Sequence, residues 1–157
     1  MKHIPIITAA LGFFVLLAAF TTPLTARLPA PDNPDAVLGT WLNGSKQGHI
    51  QIAKQGDRYV GKLIWMKNPN EPGTGKPQVD DKNEDPKLRS RPLLNLPLMT
   101  NFKHGGGNVW NDGKIYNPED GKLYSCKMTL KDPNTLDVRG YVGIPMFGKT
   151  QVWTRVK

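Results

Sequence analysis

The chain has 157 residues, a formal net charge of +8, sixteen glycines, fourteen prolines and a single cysteine. That length holds one domain, and one cysteine excludes both an intramolecular disulfide framework and a multi-cysteine metal cluster. The glycine and proline content suits a turn-rich β protein and excludes a coiled coil, a helical membrane bundle and a large α/β enzyme.

Lys2 and His3 precede an apolar run, Ile4–Phe20, which gives way to the small and polar residues Thr21–Ala26. This is the layout of a secretory signal peptide over residues 1–26, with cleavage expected after Ala26. The run reaches the lower edge of a membrane span, so an uncleaved anchor is the competing reading. Either way the folded part is expected outside the cytoplasm, periplasmic or secreted. Export leaves most nucleic acid behind, and no nucleic-acid-binding signature is visible. The remaining partners for a basic chain are the membrane surface, other envelope components or acidic polymers, beside the plainer reading of a solvated surface.

Residues 27–36 read as an extended, proline-rich leader, and 37–157 as one domain. Val37–Asn43 reads as a short strand. His49–Lys54 alternates, turns at Gln55-Gly56-Asp57, and returns as Arg58–Met66, the clearest hairpin in the chain. Alternation puts Tyr59, Gly61, Leu63 and Trp65 on one face of the return strand.

Residues 67–92 hold five prolines and near-balanced charge, so they read as one long loop. Asp85-Pro86 starts a single helical turn within it. Apolar character resumes at Leu93–Lys103. Strands follow at Asn108–Tyr116, Lys122–Leu130, Leu136–Val142 and Lys149–Val156, with turns at Asn117–Gly121, Asp132–Asn134 and Gly143–Gly148. Tyr124, Cys126, Met128 and Leu130 share a face.

About eight sequential strands with tight turns close most naturally into an all-β, antiparallel up-and-down barrel. A barrel of that size is either filled by side chains or holds one small ligand.

Gly39-Thr40-Trp41 near the start and Arg155 on the last strand resemble the signature of the calycin superfamily, which includes the lipocalins. The resemblance implies that Trp41 packs under Arg155 at the closed barrel end. Over nearly the whole remaining chain the sequence also resembles a family of small exported bacterial proteins carried as a domain of unknown function. Matching stretches are Gly61–Trp65, Arg89–Leu94, Ile115–Lys122, Arg139–Pro145 and Gln151–Arg155. This implies a lipocalin-like barrel in the bacterial envelope and supplies no catalytic residues.

Motifs for chemistry fail on inspection. His104-Gly105-Gly106-Gly107 has the letters of an oxyanion-hole loop without a Gly-x-Ser-x-Gly elbow. Gly73-Thr74-Gly75-Lys76 lacks the upstream glycine of a phosphate loop, and Pro77 follows its lysine. Asp81–Asp85 starts a calcium loop, but Pro86 replaces the glycine and Pro92 stands at the glutamate position. His49 and His104 sit on separate segments, so no metal site, no cofactor and no catalytic residue is expected.

Arg89 and Arg91 flank a serine at the loop's exit. They either grip an anion or pair with the acidic residues nearby, such as Asp80 and Asp81. Two functions follow. In the first, the barrel binds a small apolar or amphipathic anionic ligand, with Leu63, Trp65, Tyr116, Tyr124 and Met128 on its tail and Arg89 and Arg91 on its head. In the second, a filled barrel displays the charged loop to an envelope or host partner. An enzyme has the least support, since no nucleophile–base pair is visible. Cys126 reads as a buried filler.

Overall fold

The computed structural model describes residues 32–157. The expected signal peptide, residues 1–26, and the leader up to residue 31 lie outside the described residues.

Eight antiparallel strands form one closed barrel in sequential order: β1 (Gly39–Leu42), β2 (Gly48–Gln55), β3 (Arg58–Met66), β4 (Pro97–His104), β5 (Val109–Asn117), β6 (Lys122–Asp132), β7 (Thr135–Tyr141) and β8 (Lys149–Arg155). The ring closes where Trp41 pairs with Arg155 and Leu42 with Thr154. Closure leaves no open sheet edge for another chain to extend.

Up-and-down connectivity sorts the connections onto two ends. The β2–β3, β4–β5 and β6–β7 turns share one end with Trp41 and Arg155. The β1–β2, β3–β4, β5–β6 and β7–β8 connections share the other, so residues 67–96 lie opposite the Trp41–Arg155 pair.

The first end is plugged. The expectation of an extended leader through residue 36 is corrected there: Pro34–Val37 is a turn of 3-10 helix. Pro34 supplies a preset φ, and the Asn33 side chain accepts from the Asp35 N–H, the usual chemistry of a helix start. Three aromatic side chains then hold the turn. Trp41 Nε1 donates to the Val37 carbonyl at 2.9 Å, Trp110 Nε1 to that of Pro34 at 3.1 Å, and the Tyr59 hydroxyl to Asp35 at 2.8 Å. Val37, Trp41, Phe102, Trp110 and Leu136 are all fully buried. This half of the barrel is a packed core.

The inward alternation holds on β6, where Cys126 and Met128 are fully buried and Leu130 nearly so. It breaks on β3. Opposite Tyr59, Gly61 and Leu63 the pairing is regular, but His49 pairs with Trp65 while Ile50 pairs with Leu63. The unpaired Ile64 is a bulge, and one extra residue moves every later side chain to the other face. Trp65 is therefore exposed and stacks on His49, with ring centroids 4.3 Å apart.

The long β3–β4 segment is ordered by its own contacts. Val79 bridges to Pro92 and Asn70 to Pro77, and a second 3-10 turn spans Pro86–Leu88. Leu93 and Leu96 join the barrel core, and the Leu63 N–H donates to the Leu96 carbonyl at 3.0 Å.

Candidate functional site

Above the packed half, the barrel is hollow. A cavity of about 810 Å³ opens between the loops at the end opposite Trp41 and Arg155. A barrel filled throughout, the premise of the display reading, is thereby corrected. The aromatic plug fills one half only.

The cavity walls come from inward positions of several strands. Ile50, Leu63, Ile115, Val138 and Trp153 give apolar lining. Leu93 and Leu98, at the return of the long segment, extend it. Gly140 on β7 leaves room: a β-carbon there would meet nothing closer than Ile115 at 3.7 Å and Tyr124 at 3.8 Å. Around the mouth the lining turns polar, with Asn43, Gln47, Asn68, Gln78 and Asn117. Lys149 is the basic residue of the lining, set against Glu119 and Asp120, so the mouth carries little net charge. The Tyr124 hydroxyl donates to Asp120 at 2.6 Å. Burial pushes the Asp120 carboxyl up, and this bond together with backbone N–H donation outweighs it, leaving its pKa below the ordinary value.

The residues expected to hold a ligand separate into three groups. Leu63, Tyr116 and Tyr124 line the cavity. Trp65 lies outside, because of the bulge, and Met66 takes the inward place beside Leu63. Met128 is fully buried in the core, paired with Trp110 and Val138, and does not line the cavity.

Arg89 and Arg91 also stand away from the lining. Arg91 serves Asp80, a fully buried carboxylate at the root of the long segment. Its Nη2 and Nε lie 2.8 and 2.9 Å from Asp80 Oδ2. Asn83 Nδ2 donates to the same oxygen at 2.8 Å, and the Tyr116 hydroxyl donates to Oδ1 at 2.6 Å. Burial pushes the Asp80 carboxyl up, but these donors together hold it below the ordinary carboxylate value. Arg89 Nε donates to the Asn83 carbonyl at 2.7 Å. Both arginines thus fold the segment, and Tyr116 ties it to β5. The segment is a pinned rim of the mouth.

At the closed end the Arg155 guanidinium lies over the Trp41 ring at 4.2 Å and donates to the carbonyls of Pro133, Leu38 and Ala36 at 2.6, 2.6 and 2.7 Å. Gly39 completes the group. Its φ is +122°, and a β-carbon there would sit 2.8 Å from Arg155 Nη1, so a side chain is excluded twice over.

Cys126 is fully buried, and burial pushes its thiol up to about 12. Among the described residues, no three or more His, Cys, Asp or Glu side chains are grouped to hold a metal ion. A smaller hollow of about 310 Å³ lies on the outer face beside Lys127, Arg139 and Met146. The interior cavity is larger, far more apolar and reached from one end, which makes it the candidate site.

A closed, sequential eight-stranded barrel, plugged by a tryptophan under the last strand's arginine and hollow at the other end, is a lipocalin-like barrel. The chain belongs to the family described as "Uncharacterized protein conserved in bacteria (DUF2147)", whose model matches residues 39–155. Among solved structures it is similar to protein HP1028 from the human pathogen Helicobacter pylori, described as belonging to the lipocalin family. The two share 21% identity at a TM-score of 0.65, over 76% of this chain and 82% of that one. At that identity the likeness concerns the fold. No curated protein matches the chain.

Proposed function

We propose that the barrel binds one small apolar or amphipathic molecule, tail inward and polar end at the mouth, and acts as a carrier without catalysis. The observation that carries this reading is the half-hollow interior. Its volume of about 810 Å³ falls within the roughly 300–1,000 Å³ usual for small-molecule sites. Apolar side chains line it at depth and amide side chains ring its mouth, the arrangement that suits an amphipathic guest.

The balanced charge of the mouth favours a head group recognised by hydrogen bonds from Asn43, Gln47 and Gln78. An anion preference through Arg89 and Arg91 has no support in the wall, since both are engaged within the long segment. Native mass spectrometry of the purified chain, with organic extraction of what it carries, tests the reading. A bound lipid-sized mass that the extraction recovers supports it. A protein that is bare and takes up no apolar probe contradicts it.

We also propose that the carrier works outside the cytoplasm. The basic start, apolar run and small residues before Arg27 support export. N-terminal sequencing of the mature protein is expected to begin near Arg27. Retention of the apolar run in a membrane fraction contradicts cleavage.

A further inference from the structure

The β7–β8 connection carries an exposed apolar tip. Val142, Ile144, Met146 and Phe147 are 73, 52, 75 and 78% exposed. Single exposed apolar residues are ordinary, but four within six consecutive positions form a contiguous patch, which marks an interaction surface. The tip is also held in shape. Pro145–Phe147 is a 3-10 turn. Arg139 clamps it from the adjacent strand, donating to the carbonyls of Pro145 and Met146 at 2.7 and 3.1 Å and to the Thr150 hydroxyl at 2.7 Å. A side chain at Gly148 would run into the Gly140 carbonyl, so the tip closes tightly on β7.

Cations outnumber acidic groups on the outer face beside this tip, where Lys127 and Arg139 stand with Asp137 next to Met146. Lys149 follows the tip on β8, and Glu119 and Asp120 lie at the cavity mouth that Val142 and Phe147 also line. Lys127 pairs directly with Arg139 on the outer face, next to the tip. An ordered apolar projection backed by cations complements a surface that is apolar inside and anionic outside. A second copy would present the same Lys127 and Arg139 cations to this face, and the closed barrel offers no strand edge for self-pairing. Two of the four tip residues, Val142 and Phe147, also line the cavity mouth, so whatever receives the tip lies against the entrance.

We propose that the Val142–Phe147 tip docks the protein on an anionic lipid bilayer, with its apolar side chains in the interface and Lys127 and Lys149 facing the head groups, while Arg139 holds the tip in shape. In this pose the cavity opens toward the lipid. The docking requires no ligand in the cavity, so it stands or falls apart from the carrier reading.

The test uses the full chain with an environment-sensitive nitrobenzoxadiazole dye on Met146→Cys, a position that does not line the interior cavity. A second protein carries the dye on Asp57→Cys, in the β2–β3 turn at the opposite end. Cys126 stays unlabelled in both, being buried. The dye reads the tip itself, whatever other part of the chain touches membrane. On phosphatidylcholine vesicles containing phosphatidylglycerol, the dye at 146 is expected to brighten and shift to the blue, the dye at 57 to stay unchanged, and high salt to reduce the response. No response at 146, an equal response at 57, or an equal response on pure phosphatidylcholine overturns the proposal. A blue shift that appears without vesicles as protein concentration rises assigns the tip to a second copy, and also overturns it.

Discussion

Arg155 lies over the Trp41 ring at 4.2 Å while its three donor nitrogens reach the Pro133, Leu38 and Ala36 carbonyls. One side chain thus joins the last strand to the first strand, to the β6–β7 turn and to the plugging 3-10 turn. The cation–π contact and the planar fork both depend on guanidinium geometry, which an ammonium lacks. Trp41→Ala should cost about 3–5 kcal/mol, as large aromatic truncations in cores do. Arg155→Lys should cost roughly 1.5–3 kcal/mol, the worth of one lost hydrogen bond to a charged group. Chemical denaturation of each variant checks this, and a loss below about 1 kcal/mol for Trp41→Ala, the range of surface changes, removes Trp41 as a keystone.

Asp80 is the polar counterpart at the open end. Asp80→Asn leaves Arg91 without its carboxylate and should cost about 1–3 kcal/mol. That is less than the roughly 3–5 of a wholly buried broken pair, because Arg91 is partly in solvent. The pH dependence follows from the lowered carboxyl pKa. The unfolded chain binds the proton more readily, near the ordinary value of about 3.9. The stabilisation is therefore complete above that value and is lost as pH falls through the lower, folded one. Urea denaturation from neutral pH downward should show the wild-type advantage over Asp80→Asn shrinking only below about pH 4. A gap that is constant with pH places the effect in packing alone.

Cys126 should resist thiol reagents in the native state and react once the protein unfolds. Burial both blocks access and disfavours the thiolate, whose pKa is pushed up to about 12. Rapid labelling under native conditions contradicts the packing given for β6.

Trp65 and Arg89 should be silent in ligand binding. Trp65→Ala removes an outer-face stack on His49, and Arg89→Ala removes a bond within the long segment. Titration of an apolar fluorescent probe is expected to give wild-type affinity for both. A large loss for Trp65→Ala contradicts the outward placement of Trp65.

The barrel was legible because its signals are local. Alternation on β2, β6 and β7, glycine and asparagine at turns, and sequential strands lead to an up-and-down closed sheet. Trp41 and Arg155 named its closed end. What escaped depends on longer-range geometry. The bulge at Ile64 leaves no mark in the alternation of Arg58–Met66, yet it exchanges Trp65 for Met66 at the cavity wall. Pro34–Val37 looks like leader until the Trp41, Trp110 and Tyr59 donors find it. Arg91 near Asp80 was readable as either anion grip or ion pair, and only the burial of Asp80 decides between them. Of the cavity lining, Leu63, Tyr116 and Tyr124 were legible from strand faces. Leu93 and Leu98 enter it because the long segment turns back over the mouth, which sequence periodicity cannot encode.

Gly140 offers the most direct test of the carrier reading. Its missing β-carbon faces open space within the cavity, with nothing nearer than 3.7 Å, so Gly140→Leu places apolar volume where the ligand tail is proposed to lie. The strand should tolerate the change, because glycine in a strand interior weakens it. Titrating a fluorescent fatty-chain probe into wild type and Gly140→Leu measures the consequence. Saturable binding to the wild type is expected, with at least about tenfold weaker binding to the variant, about 1.4 kcal/mol, and folding stability preserved. Equal affinity in both proteins, or no saturable binding by the wild type, contradicts the carrier reading.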